Sequence, residues 1–147
     1  MKAHIGVDAD SGLVHSVEGT AANVNDVTQA HKLLHGQEAD AFADAGYQGA
    51  HKRPEAKGKV NWHVAVRPGK RKALDLNDPA QAIIDKIERV KASIRAKVEH
   101  PFRVIKKQFG HVKVRYRGLE KNTAQIKTLF MLSNLLMVRG KLMAGGA

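Results

Sequence analysis

The chain has 147 residues, 43% of them hydrophobic, which is enough to bury one core, so we expect a single domain. Its 25 Lys and Arg residues against 14 Asp and Glu residues give a formal net charge of +11, which favours a polyanionic partner, above all nucleic acid. The sequence contains no cysteine, which excludes a disulfide framework and a cysteine-ligated zinc site.

The chain opens with two short β-prone segments. Residues 3–7 and 13–17 are separated by Asp-Ala-Asp-Ser-Gly, which is rich in turn-forming residues, so we predict an antiparallel hairpin. Asp8 and Asp10 lie in the turn. For these two side chains, local hydrogen bonding to the backbone is favoured over metal ligation.

A helix is predicted next, because Asn25 can cap it and Asp26 places a favourable charge in its first turn. Its apolar residues at helical spacing are Val27, Ala30, Leu33 and Leu34. Gly36 ends the pattern. His31 and His35 lie one turn apart, and we interpret them as a surface pair, since no third metal ligand is evident.

Residues 41–43 predict a short buried strand, and Asp44 follows at its end. Gly46 and Gly49 come directly afterwards and permit a tight backbone turn. Functional groups in open α/β sheets collect at the carboxyl ends of strands, so Asp44 is expected to face a crevice. The alternative is an ordinary turn aspartate.

A polar and basic connection is expected between Gly49 and Asn61, including Lys57-Gly58-Lys59, followed by a strand over residues 60–66. A basic loop comes next, with the cations Arg67, Lys70, Arg71 and Lys72. Because the nearest acid in the sequence is Asp75, we expect these cations to bind phosphates and not to form ion pairs. The alternative is a solvated loop.

A long amphipathic helix is predicted from Asp78, which can cap it, and Pro79, at the favoured first position for proline. Its apolar residues, at steps of three and four, are Ile83, Ile84, Ile87, Val90, Ile94 and Val98. Pro101 removes a backbone donor and is expected to kink or split this helix. Gly110 should end its second part.

One stripe of this helix combines a carboxylate with two cations. The stripe consists of Arg95, Glu99, Phe102 and Lys106, and the adjacent apolar residues are Ile94, Val98 and Ile105. Glu99 should therefore lie at the rim of a buried surface. It is either a metal ligand or the partner of Arg95 in an ion pair worth roughly 0.3 to 0.5 kcal/mol, and the helix alone favours the ion pair.

Residues 111–117 alternate apolar and basic side chains, so an extended conformation would present Lys113, Arg115 and Arg117 in one row. A final helix is predicted from Asn122 or Thr123 to about Lys141, and residues 143–147 should form a disordered tail. The apolar run over residues 129–138 is well short of the roughly 20 residues that span a bilayer. With no signal peptide evident, we expect a cytoplasmic protein without a membrane partner.

Several of these stretches resemble one protein family. Residues 44–49, Asp-Ala-Gly-Tyr-Gln-Gly, resemble the second-aspartate motif of bacterial insertion-sequence transposases of the DDE type. Arg95, Glu99 and Lys106, separated by three and six residues, resemble the family's glutamate motif. Residues 23–26 and 115–118 also resemble family sequences. The likeness covers nearly the whole chain, although Ala92 stands where the family often has tyrosine.

The resemblance implies an α/β fold of the ribonuclease-H-like type, in which the hairpin and the strand at residues 41–43 share one mixed sheet with the Glu99 helix packed on it. It also implies DNA transposition by metal-dependent phosphodiester cleavage and strand transfer. Two Mg²⁺ (or Mn²⁺) ions about 4 Å apart would be held by Asp44 and Glu99, while Arg95 and Lys106 orient a carboxylate or bind phosphate. The expected DNA-binding residues are Arg67, Lys70, Arg71, Lys72, Lys113, Arg115 and Arg117.

The family's first catalytic aspartate lies on a strand that would precede residues 3–7, and it has no counterpart here. We therefore expect a catalytic domain that is incomplete at the amino terminus and does not carry out transposition alone. It could self-associate through the sheet edge left unpaired. Pairing with a full-length transposase is a separate possibility. The alternatives are a non-catalytic basic nucleic-acid-binding module and a regulatory transposase fragment.

Overall fold

The computed structural model describes residues 1–56 and 60–145. The predicted basic connection at Lys57-Gly58-Lys59 lies outside the described residues, as do Gly146 and Ala147 of the expected tail. The chain divides into two compact units, one formed by Met1–Val24 with Lys97–Ala147 and the other by Asn25–Ala96. The single-domain interpretation stays a prediction.

The described residues form β-strands, α-helices and 3₁₀ helices, so the predicted α/β class is confirmed. The strands are β1 (Lys2–Val7), β2 (Val14–Thr20), β3 (Asp40–Ala43) and β4 (Asn61–Val64). The α-helices are α1 (Pro68–Lys72), α2 (Pro79–Lys107) and α3 (Leu119–Ala144). Short 3₁₀ helices are η1 (Asp26–Leu33), η2 (Ala45–Tyr47), η3 (Ala50–Lys52) and η4 (Pro54–Ala56). None of the described helices is long and apolar enough to cross a membrane.

In the first unit, β1 and β2 form the predicted antiparallel hairpin, with Ile5 opposite Val17. Asp8 makes the expected local bonds, because its Oδ1 accepts hydrogen bonds at 2.6 Å from both the backbone N–H and the hydroxyl of Ser11. The core of this unit contains Ile5, Val14, Ile105, Ile126 and Phe130. The hairpin thus supplies one wall of a core that α2 and α3 complete.

Two features fix α3 against β2. Asn134 accepts a hydrogen bond from the backbone N–H of Val14 at 2.9 Å and donates one to its carbonyl at 2.7 Å. The backbone of β2 also approaches α3 closely at Gly19, where an added Cβ would lie 2.1 Å from Thr123 Oγ1. A larger residue fits there only if the Thr123 side chain or one of the two elements moves.

In the second unit, β3 and β4 are parallel, with Phe42 opposite His63. The prediction of a single mixed sheet is wrong for the described residues, which form two separate two-stranded sheets. Period-two patterns identify strands, but they do not specify which strand edges hydrogen-bond. The strand predicted at residues 41–43 is present, but its side chains are half-buried and not fully buried.

Several local predictions are corrected by the structure. The predicted first helix is 3₁₀ and Asn25 makes no side-chain cap bond. Helix α2 continues through Pro101, which is fully buried, so the packing around the proline offsets the absent hydrogen bond and the predicted split does not occur. Asp78 does cap α2, accepting from Ala80 N at 3.0 Å. Helix α3 begins at Leu119 and extends to Ala144, so Met143 and Ala144 are helical.

Candidate functional site

Asp44 follows β3 directly and caps the short helix η2. Its Oδ1 accepts the backbone N–H of Gly46 at 2.9 Å, and its side chain is exposed. Because β3 and β4 are parallel, the ends of both strands lie at one edge of their sheet. The structure therefore places Asp44 where the sequence predicted it, in a turn whose geometry its own carboxylate helps to fix.

A second carboxylate lies beside this turn. A Cβ atom added at Gly46 would be 2.8 Å from Asp26 Oδ2 and 3.0 Å from Asp44 Oδ1, so both side chains converge on the space that glycine leaves open. Sequence reasoning assigns Asp26 only a favourable charge at a helix start and does not predict its proximity to Asp44. The signal that could have found it is its position in residues 23–26, a stretch that resembles the family.

The pKa of Tyr47 reflects its burial and the two carboxylates near it. Burial raises the pKa of Tyr47 well above its ordinary value, and the negative charges of Asp26 and Asp44 raise the pKa further. The phenol therefore stays protonated throughout the physiological range and is available only as a neutral hydroxyl. It lies on the same three-residue turn that Asp44 caps.

Glu99 is exposed on α2, and the neighbouring Val98 and Phe102 pack against the core of the first unit. The Phe102 ring meets Phe130 edge to face, with centroids 5.3 Å apart. This helix therefore packs against the core through apolar side chains, as the sequence predicted. Within the described part of the chain, no cation lies in ion-pair range of Glu99, so the alternative that it serves as half of an ion pair is wrong. Its role as a metal ligand stays a prediction.

The two cations predicted on the Glu99 stripe differ in exposure. Arg95 is half-buried, whereas Lys106, close to the end of α2, is exposed. Phe102, which belongs to the same predicted stripe, faces the core instead. The stripe is therefore split, because a helix with a buried flank turns its long apolar side chains inward and leaves its charged ones outward. The proposed roles of Arg95 and Lys106 stay predictions.

The basic segment after β4 is a short helix, α1, and not the predicted loop, because Pro68 begins a helical turn at its favoured first position. Its cations are not equivalent. Arg67, Lys70 and Lys72 are exposed, but Arg71 Nε donates to Asp85 Oδ1 at 2.8 Å. The prediction that these cations avoid ion pairs is wrong for Arg71, because helix α2 places Asp85, 14 residues later in the sequence, next to it.

Glu88 is the second buried acid of this helix, with 4% of its surface exposed. Its carboxylate accepts hydrogen bonds from Lys91 Nζ at 2.7 Å and from Val66 N at 2.9 Å. Burial alone would raise the pKa of Glu88, but these hydrogen bonds and the nearby cations outweigh it and hold the pKa below its ordinary value. Glu88 is therefore a structural anion that ties the end of β4 to α2.

The second basic segment, residues 111–117, is irregular and forms no strand. Lys113, Arg115 and Arg117 are exposed, and so are the apolar residues between them, with Val112 exposed by 77%. No buried face exists to favour an extended strand, which explains the difference from the prediction. Asn122 holds the segment instead, accepting from the backbone N–H of Tyr116 at 3.1 Å and donating to the carbonyls of Tyr116 and Gly118.

The donor chemistry at Asp44 and Asp26 suits a hard divalent cation. Carboxylate oxygens are the ligands that Mg²⁺ and Mn²⁺ prefer, and Asp26 Oδ2 and Asp44 Oδ1 both lie close to Gly46. Asp44 is exposed, so a bound cation could keep water or phosphate ligands as well. These residues therefore fit a divalent cation.

The comparison with known families is consistent with this geometry. No solved structure matches the chain. A family model described as the transposase DDE domain matches residues 1–135, a range that contains Asp26, Asp44 and Glu99. Proteins of this family act in DNA transposition, bind DNA and generally use divalent metal ions. Since the match covers more than half of the sequence, the chain belongs to the transposase DDE domain family.

Proposed function

We propose that this chain binds DNA through its exposed cations and that Asp44 and Glu99 ligate the divalent cations that support phosphodiester cleavage and strand transfer. The observation that carries the proposal is the position of Asp44, an exposed carboxylate held by Gly46 N–H at the end of a parallel strand. A ligand fixed in this way needs little reorganisation when a cation binds.

The chemistry requires carboxylates and no covalent protein intermediate. Bound Mg²⁺ or Mn²⁺ would activate the attacking oxygen and neutralise charge on the leaving oxygen. The task of Asp44 and Glu99 is to supply oxygen ligands while leaving other positions for water and phosphate. Arg95 and Lys106 are proposed to orient the Glu99 carboxylate or to hold a DNA phosphate.

The exposed cations supply the complementary function, because the acidic site alone would repel DNA. Arg67, Lys70 and Lys72 on and before α1 are exposed, and so are Lys113, Arg115 and Arg117 in the irregular segment. Each phosphate neutralised by such a side chain releases condensed counterions, so binding should be strongly salt-dependent. Sequence-specific readout of bases is not required for this part of the function.

Two measurements on the purified chain test the proposal. The first is the affinity for Mn²⁺, and the second is cleavage of a supercoiled plasmid in Mg²⁺ or Mn²⁺. Asp44→Asn and Glu99→Gln should each lower Mn²⁺ affinity by about tenfold or more and abolish any cleavage. Asp75→Asn is the matched control, because it removes one exposed carboxylate charge. The side-chain oxygen of the new asparagine can still accept the hydrogen bond from Asn77 N.

The second candidate function is a non-catalytic DNA-binding module, which the net charge of +11 favours by itself. In that case the affinity for a labelled duplex of arbitrary sequence would be independent of divalent cations beyond ordinary charge screening. Asp44→Asn and Glu99→Gln would then bind Mn²⁺ and DNA as the unsubstituted chain does. That result would refute the metal-dependent proposal.

A further inference from the structure

One buried carboxylate on α2 holds two arginines. Asp85 is 8% exposed, and its two oxygens accept hydrogen bonds from Arg71 Nε at 2.8 Å and from Arg89 Nε at 2.9 Å. Arg71 lies on α1, and Arg89 lies one turn after Asp85 on α2, so all three residues belong to the second unit. The two guanidinium groups are therefore neighbours, although like charges repel one another.

The charges of these three side chains do not balance. Glu88, the other buried acid of α2, meets one cation, Lys91, and one backbone N–H. Asp85 meets two cations, so the three side chains keep one net positive charge. The Arg89 side chain is 70% exposed, and an exposed ion pair between helical residues four apart contributes little to stability. Stability alone therefore gives little reason for the second arginine on Asp85.

The hydrogen-bond donors that Asp85 leaves unused suit a phosphate. Arg71 and Arg89 both meet the carboxylate through Nε, and within the described part of the chain neither donates a hydrogen bond through its Nη atoms. The paired Nη groups of a guanidinium match two oxygens of one phosphate, a geometry that lysine does not reproduce. Because Asp85 already fixes the Nε side, less side-chain entropy is lost when the Nη side binds a ligand.

We propose that Arg71 and Arg89 bind the phosphate backbone of DNA, and that Asp85 is the positioning residue that holds both guanidinium groups for this contact. Arg89 is an addition to the DNA-binding surface, since no sequence motif indicated it. The inference rests on the proposed function, because the exposed cations of that surface lie on and before α1, the helix that Arg71 ties to Asp85.

Substitutions at Arg89 test the phosphate contact. Fluorescence anisotropy of the full chain with a labelled duplex of arbitrary sequence, at several salt concentrations, measures the affinity and its salt dependence. Arg89→Gln should reduce the slope of log affinity against log salt concentration by about 0.9, the value for one phosphate. Arg89→Lys keeps the charge but loses the paired Nη donors, so the slope should stay while the affinity falls about fivefold. Arg139→Gln is the matched control, because Arg139 is exposed on α3 and makes no ion pair among the described residues.

Asp85→Asn tests the positioning role through the sign of its effect. The substitution raises the net charge by one, which by itself would strengthen DNA binding. If Asp85 positions the arginines, the affinity should instead fall about fivefold, because the asparagine amide keeps only one acceptor oxygen for two guanidinium groups. A merely structural carboxylate would lower the thermal midpoint and leave the affinity of the folded chain unchanged or raised. That result would overturn the positioning role.

The outcomes separate this inference from the proposed function. If the unsubstituted chain shows no salt-dependent binding, both the inference and the DNA-binding function are overturned. If glutamine at Arg67, Lys70 and Lys72 reduces the slope while Arg89→Gln and Arg139→Gln have equal effects, Arg89 acts only as general charge. In that case the inference fails and the proposed function stands. Since the Arg89 side chain is mostly exposed, its variants should keep the circular dichroism of the unsubstituted chain and remain informative even if Asp85→Asn unfolds.

Discussion

Asp85 on α2 receives one arginine on each carboxylate oxygen, Arg71 Nε at 2.8 Å on Oδ1 and Arg89 Nε at 2.9 Å on Oδ2. The hydrogen bond and charge of Arg71, aided by Arg89, hold the pKa of Asp85 below its ordinary value. Arg71 therefore has a partner within the protein, whereas Arg67, Lys70 and Lys72 make no ion pair among the residues that the structure describes.

This difference predicts unequal effects on DNA binding. Replacing Arg67, Lys70 and Lys72 by glutamine should reduce the slope of log affinity against log salt concentration by about 0.9 for each DNA phosphate that is no longer neutralised. Arg71→Gln should change the slope less and lower the thermal midpoint more, because it leaves Asp85 with one arginine fewer. Fluorescence anisotropy with a labelled duplex at several salt concentrations, beside thermal melts, measures both. A larger slope change for Arg71→Gln than for the triple variant would contradict this division.

The lowered pKa of Glu88 predicts that the folded chain loses stability at acid pH. Because its pKa is lowered in the folded chain, its contribution is fully present above the ordinary glutamate pKa and is lost as the pH falls through the folded value. Glu88→Ala should lower the free energy of unfolding at pH 7 by about 3 kcal/mol, since Lys91 and Val66 N lose their buried acceptor. Urea titrations between pH 3 and 7 should show a shallower acid dependence in the variant than in Asp75→Asn.

The hydrogen bonds of Asn122 to the second basic segment are expected to contribute to the stability of the chain. Its side chain makes hydrogen bonds to backbone groups of Arg115, Tyr116 and Gly118, and it is buried. Asn122→Ala should cost about 2 to 3 kcal/mol because these groups lose their partner. Thr128→Ala on the same helix, which removes one exposed bond to Ala124 O, should change the free energy of unfolding by less than about 0.5 kcal/mol. Equal effects of the two substitutions would show that Asn122 does not hold the segment.

The close approach of β2 and α3 predicts a size limit at Gly19. Gly19→Ala should destabilise the chain by about 1 to 3 kcal/mol, since its methyl group would overlap Thr123. Adding Thr123→Ala should recover part of this stability, because Oγ1 and Cγ2 are removed while the Thr123 Cβ, at 2.9 Å, remains. Gly140→Ala is the control, with open space at its Cβ position and an expected gain of up to about 1 kcal/mol from helix propensity. Additive effects of the two substitutions would argue against the overlap.

Local chemistry predicted the elements that depend on neighbouring residues. The Asp8 turn and the Asp78 cap follow from hydrogen-bonding side chains, and the strand before Asp44 follows from a short apolar run; all three elements are present. The apolar seat of Val98 and Ile105 follows from helical periodicity, which likewise requires no knowledge of distant residues.

The missed features depend on residues that are distant in sequence. The 14-residue separation of Arg71 from Asp85 and the 18-residue separation of Asp26 from Asp44 place each pair beyond any periodic pattern. The separate pairing of β1–β2 and β3–β4 is likewise a choice between strand edges that no local signal records. Val112 to Tyr116 alternate correctly for a strand, yet no surface covers their apolar side, so the pattern lacks the burial that would make it one.

The first unit is discontinuous along the chain, and this affects the order in which the protein can fold during synthesis. Its hairpin leaves the ribosome first, but the side chain of Asn134 that bonds Val14 follows 120 residues later. The second unit, Asn25–Ala96, is continuous in sequence, and all of its residues precede α3. Because domains form as their segments emerge, the β1–β2 hairpin lacks the α2 and α3 side chains of its core until α3 has been synthesised. That interval is when chaperone binding or aggregation of the nascent chain would compete with folding.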